Sequence, residues 1–136
     1  MGRPPETVFD YITDAANLAA WQTSKTFVEL LTERPPRLGS RFREGTKPPL
    51  GPAFVQVTEF TEFDRPRRLC VHVVEGPFPV DGEWSLEAYG AGTRVRFVAA
   101  GKLPRVLRVV EPLAARMMAR QFRVYHRNLR RNLERR

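Results

Sequence analysis

Cysteine is nearly missing from this 136-residue chain: Cys70 stands alone, so no disulfide can form within it. A reducing, cytoplasmic setting is expected, with Cys70 as a structural thiol. Histidine is almost as scarce. His72 and His126 occur without CxxC or HExxH spacing, so a zinc site would be short of ligands, and no metal and no cofactor is expected. There is no GxSxG, P-loop or GxGxxG pattern, which leaves nucleophilic catalysis without sequence support. No apolar run approaches the ~18 residues of a membrane span. Met1-Gly2-Arg3-Pro4-Pro5 leads into no apolar signal region, so no secretion and no stable membrane insertion are expected.

What is present suffices for one domain over residues 1–136. The chain is 42% hydrophobic, and a chain of this length buries roughly two-thirds of its unfolded surface without needing a staple. The net charge of +8 would suit a nucleic-acid binder, but its placement argues otherwise. Residues 1–104 hold 13 Lys+Arg and 13 Asp+Glu, while residues 105–136 hold 10 Arg against Glu111 and Glu134. The whole excess sits on one terminal element. Its arginines are not interleaved with exposed aromatics, so nucleic acid is not an expected partner.

Pro4-Pro5-Glu6 followed by Val8, Phe9 and Ile12 at helical spacing predicts a short helix, and Asp14 can cap a second one carrying Leu18 and Trp21. These two occupy about residues 5–21. From about residue 25 to 102 the pattern alternates and turn residues recur, which predicts strands over 27–32, 40–46, 53–63, 68–75, 80–89 and 93–100. The last two form a hairpin across Gly90-Ala91-Gly92. Val80, Trp84, Leu86, Val95 and Phe97 face one way, and Asp81, Glu83, Ser85, Glu87, Arg94 and Arg96 the other. One dry face and one wet face imply an antiparallel sheet covered on a single side. In the third run Val57, Phe60 and Phe63 are spaced by three, which suggests a bulge or a shared face.

The C-terminal segment, about residues 105–134, predicts a long helix kinked near Arg108, because Pro112 interrupts the apolar run. Ala114, Met118, Phe122, Tyr125, Leu129 and Leu133 form one stripe. Arg116, Arg120, Arg123, Arg127, Arg130 and Arg131 lie opposite, as the solvated face of an amphipathic helix would. The fold class is α+β: two short helices, a curved antiparallel sheet of about six strands, and a long terminal helix.

This order, with several local signals, resembles the SRPBCC superfamily of helix-grip proteins. That group holds START lipid-transfer domains, birch-pollen-allergen relatives and polyketide cyclase/dehydrase proteins. The resemblance rests on residues 4–14 with Asn17-Leu18 and Trp21, on Val57-Thr58-Glu59-Phe60, and on Asp64-Arg65-Pro66-Arg67-Arg68-Leu69. Gly92-Thr93-Arg94-Val95 and Glu111-Pro112-Leu113 complete it. It implies a further strand ahead of the Pro4-Pro5-Glu6 helix, where this sequence begins. A start placed too late is the expectation; a real loss would leave a free sheet edge and favour a homodimer.

The resemblance also implies a pocket between the concave sheet face and the long helix, occupied by a hydrophobic small molecule such as a lipid, isoprenoid or polyketide-like compound. Candidates for its wall are Trp84, Val95, Phe97, Met118, Phe122 and Tyr125, each of which also reads as ordinary core. Met117-Met118 add weight, since methionine adapts to varied apolar shapes. His72, whose pKa lies near neutrality, is the single candidate general base, although a solvent-facing or satisfied core histidine is the plainer reading. Glu59, Glu62 and Glu83 fall on exposed strand positions. The expected function is binding or carriage, leaning away from catalysis. A cyclase- or aromatase-like enzyme using the same cavity is the alternative, and an interaction module using the basic helix a further one. A cluster of His, Tyr, Arg or Glu inside the cavity would favour the enzyme, and a wholly apolar cavity the binder.

Overall fold

The computed structural model describes residues 1–48, 51–101 and 111–135. Two short helices open the chain, α1 over Pro5–Thr13 and α2 over Ala15–Trp21. Pro5 sits in the first turn of α1, where its missing N–H forfeits no hydrogen bond. Asp14 ends α1 and caps α2, its Oδ1 accepting from the Ala16 N–H at 2.9 Å. Val8, Phe9 and Ile12 are buried, and each contributes about 1.5–3 kcal/mol by leaving water.

Six strands follow: β1 Lys25–Leu30, β2 Arg41–Thr46, β3 Phe54–Asp64, β4 Arg68–Glu75, β5 Val80–Tyr89 and β6 Gly92–Gly101. Each pairs antiparallel with the next, giving one sheet in sequence order. The β5–β6 hairpin keeps an unbroken register from Val80↔Gly101 to Tyr89↔Gly92. Its turn places Gly90 at a φ of +59°, a region other residues enter at a cost.

The β3–β4 pairing is irregular, with register breaks at Val57/Thr58 and at Phe60/Glu62. A bulge bends its strand and adds twist, which curls the sheet. The second break also explains the three-residue spacing of the sequence. Thr61 is the extra residue, so Phe60 and Phe63 end on the same side, their rings 5.9 Å apart, and Phe63 meets Phe9 of α1 edge-on at 5.1 Å. Arg65 then clamps α1 from outside. Its Nε and Nη2 donate to the two Asp10 carboxylate oxygens at 2.7 and 2.8 Å, which holds that carboxyl below the usual range.

The long helix, α3, runs over Glu111–Glu134. Tyr125, Leu129 and Leu133 of its stripe are buried. Asn128 donates to the Trp21 carbonyl at 3.3 Å and Asn132 to the Ala20 carbonyl at 3.1 Å, satisfying acceptors left over at the end of α2. Met1 and Thr93 exchange both backbone hydrogen bonds at 2.8 Å, and Arg3 donates to the Leu133 carbonyl at 3.0 Å. The opening segment thereby ties β6 to the end of α3. The six arginines of the opposite stripe are all exposed. The bend expected near Arg108 and the side chain of Ala114 lie outside the described residues. The whole is a curled six-stranded antiparallel sheet holding a C-terminal helix, as the resemblance implies. No described helix is long and apolar enough to cross a membrane.

Candidate functional site

Between the concave sheet face, α2 and α3 lies a cavity of ≈ 210 Å³. Strand alternation decides what it meets, because every second residue of each strand points inward. On the side of β4, β5 and β6 those residues are apolar: Leu69, Val71, Val80, Trp84 and Phe97. Trp84 and Phe97 stack at 4.3 Å, and Phe97 meets Phe122 of α3 at 4.5 Å, so aromatic contact joins sheet to helix. Trp21, 1% exposed, stands edge-on to Trp84 at 5.3 Å and to Tyr125 at 6.4 Å. Gly82 lies opposite the Phe97 ring, where an added Cβ would come within 3.0 Å of it.

The side formed by β1, β2 and β3 is different. Lys25, Glu44, Thr46, Gln56 and Thr58 line it, alongside the rings of Phe42 and Phe60. Lys25 Nζ donates to Thr46 Oγ1 at 3.1 Å and lies 3.8 Å from Glu44 Oε1. Gln56 Nε2 donates to Glu44 Oε2 at 3.3 Å. The Lys25 and Glu44 side chains are only 10% and 7% exposed. At the α3 end, the Tyr125 hydroxyl is hydrogen-bonded to Ser24 Oγ. Burial pushes that phenol above its ordinary pKa, against the opposing pull of the Ser24 contacts.

Of the residues expected at the wall, Trp84, Phe97, Phe122 and Tyr125 line the cavity. Val95 and Met118 do not. Val95 packs beside the core next to Leu86, its cross-strand partner, too far along β6 to reach the cavity. Met118 is 40% exposed, one turn of helix before Phe122, and turns to solvent. His72 also departs from its candidate role. It lies on the convex face, opposite the inward Leu69, Val71 and Val73, with Nδ1 2.5 Å from Asp81 Oδ1. The partner comes from register, since His72 faces Asp81 across β4 and β5. An imidazole on that face cannot touch a molecule in the cavity. Cys70 is there too, donating to Glu62 Oε2 at 3.3 Å; burial and that carboxylate push its thiol up, away from the nucleophilic form.

The polar side of the cavity is absent from the sequence-based candidates. Its signal is the run Arg41-Phe42-Arg43-Glu44-Gly45-Thr46, whose alternation puts Glu44 and Thr46 on the same side as the apolar Phe42. Nothing in that run says that Lys25 meets Glu44; the β1–β2 pairing sets Lys25 opposite Thr46, diagonally across from Glu44.

Among solved structures, TTHA0849 from Thermus thermophilus is 20% identical, with 98% of this chain and 91% of that chain covered and a TM-score of 0.82. CV1439 from Chromobacterium violaceum is 17% identical over 98% and 92%, with a TM-score of 0.70. SA2116 from Staphylococcus aureus, a protein of unknown function, is 14% identical over 98% and 88%, also at 0.70. At such identities these structures speak for the fold alone. No curated protein matches the chain. The family model for polyketide cyclase / dehydrase and lipid transport proteins matches residues 2–134, from the opening strap to the end of α3. The chain belongs to that polyketide cyclase/dehydrase and lipid-transport family.

Proposed function

We propose that the chain binds a small hydrophobic molecule between the concave sheet face and α3. The observation that carries this reading is the cavity of ≈ 210 Å³ whose apolar side is built by Trp84, Phe97 and Phe122. Its size limits the guest. About 150 Å³ accommodates benzene, and drug-sized ligands occupy roughly 300 Å³ or more. A molecule of one or two rings, or a short branched chain, suits the space.

Native mass spectrometry of the purified protein, searched for co-purifying small molecules, is the first test. Phe122→Ala is the second: it removes the ring that bridges helix to sheet and is expected to weaken uptake of a naphthalene probe about tenfold, the equivalent of ~1.4 kcal/mol. A variant that stays folded and binds the probe as tightly as the parent would remove Phe122 from the wall.

A specific observation favours a second reading. Lys25, Glu44 and Tyr125 bring an ammonium, a carboxylate and a phenol into one cavity, the kind of cluster that general acid–base chemistry uses. An enzyme of the cyclase/dehydrase kind would fold a reactive ketone there and exclude water. Turnover of an enolisable ketone that disappears in Glu44→Gln, with probe binding retained, would favour catalysis over carriage.

A further inference from the structure

The concave face is divided, and the division carries information about the guest. Apolar side chains cover β4 to β6, while β1 to β3 present Lys25 and Glu44, each at least nine-tenths buried, at the cavity wall beside Phe42 and Phe60. A buried ion pair contributes little net stability, because the desolvation of two charges offsets most of their attraction. The pair is also incompletely closed. Its Nζ···Oε1 separation of 3.8 Å exceeds hydrogen-bond length. The ammonium has three donors, of which Thr46 Oγ1 takes one.

We infer that Lys25 and Glu44 form the head-group receptor of this cavity, and that they select a neutral hydroxyl on an apolar ring in preference to a carboxylate. The inference rests on the binding function proposed above and adds to it the polar end of the ligand. One hydroxyl oxygen can lie about 2.8 Å from both Nζ and Oε1, accepting from the ammonium and donating to the carboxylate. Such a group completes both partners and leaves the site electrically neutral. A ligand carboxylate would bring a second negative charge beside Glu44, in a place where few water molecules can screen it. An unsubstituted hydrocarbon fills the apolar side and leaves the pair as it is. The expected order of affinity is therefore hydroxylated ring, then bare ring, then ring carboxylate.

Equilibrium dialysis of the full chain at pH 7 against 2-naphthol, naphthalene and 2-naphthoate tests this order with three probes of nearly one shape. 2-Naphthol is expected to bind about tenfold or more tightly than naphthalene, since a hydrogen bond to a charged group contributes about 1.5–3 kcal/mol. 2-Naphthoate is expected to bind weakest. Glu44→Gln changes the charge of the site without changing its shape, and there the naphthoate should gain about tenfold and overtake bare naphthalene, while the naphthol keeps the hydrogen bond from Lys25. Lys25→Met alone strands a buried carboxylate and can unfold the chain. The double variant Lys25→Met/Glu44→Leu removes both partners without stranding a charge, and it should bind naphthol and naphthalene equally. Equal binding of naphthol and naphthalene to the unaltered protein overturns the head-group assignment and leaves the cavity function standing. So does a ranking that Glu44→Gln leaves unchanged, which would make the pair a tie between β1 and β2. Failure of all three probes to bind overturns the cavity function and this inference together.

Discussion

The two halves of α3 carry the same apolar stripe and meet different fates. Toward the C-terminus, Tyr125, Leu129 and Leu133 are 5%, 0% and 0% exposed. Toward the N-terminus, Met118 of that stripe is 40% exposed. Residue type does not separate them, since methionine is as ready to be buried as leucine. Neighbours do. The C-terminal half faces α1 and α2, is tied to α2 by the amides of Asn128 and Asn132, and is held by Arg3. Among the described residues, Met118 lies beyond that cover. Helical periodicity shows which side of a helix is apolar; it does not show how far along the helix a cover extends.

This contrast can be broken at either end. Leu129→Ala is expected to have the largest effect, destabilising the fold by about 2–5 kcal/mol through lost burial and a residual cavity. Urea unfolding monitored by circular dichroism measures it, and a loss below ~1 kcal/mol would mean that the C-terminal half is not gripped as described. A smaller effect is read as pH dependence at His126. Burial holds its imidazole below the ordinary range, with the N-terminal ammonium and Arg130 adding to the shift. The unfolded chain takes up this proton near pH 6.5, about the ordinary value, and the folded one only at lower pH. The contribution to stability is therefore fully present above about pH 6.5 and is lost as pH falls through the folded pKa. His126→Gln should flatten the acid side of the stability profile; identical slopes in the two proteins would contradict that. Met118→Ala should change stability least, within about 0.5 kcal/mol, as an exposed substitution does. A loss as large as that of Leu129→Ala would show that something covers the N-terminal half in solution.

Much of the fold is legible in the residues because local rules and tertiary packing agree there. Pro5, Asp14 and the stripe Val8, Phe9 and Ile12 specify α1 and α2. The two-residue period from Val80 to Tyr89 and from Thr93 to Ala100 specifies the hairpin and both of its faces. Legibility ends where long-range pairing decides. The candidate base His72 shares its strand with inward valines, and whether it or they enter the cavity depends on which face the helices cover. Register then gives it Asp81, nine residues away, on the outside. Met118 and Val95 satisfy the pattern of a wall residue, yet one lies beyond the cover and the other beyond the cavity. Lys25 and Glu44 look like surface residues by type, and they escape notice because a charged pair in a wall breaks the rule that cores are apolar.

The amino-acid sequence alone determined the kind of protein this is: a sheet with one dry face, two short helices, and a basic amphipathic helix to cover it. Those are local properties, set by backbone preference, by the Asp14 cap of α2 and by the period at which apolar residues recur. Only the tertiary structure decided that the cover leaves a space, and that one side of that space is charged. Both depend on the bulges that curl β3 against β4 and on the pairing that carries Lys25 to Glu44. Such contacts join residues distant in sequence, and no short-range pattern encodes the volume left between them.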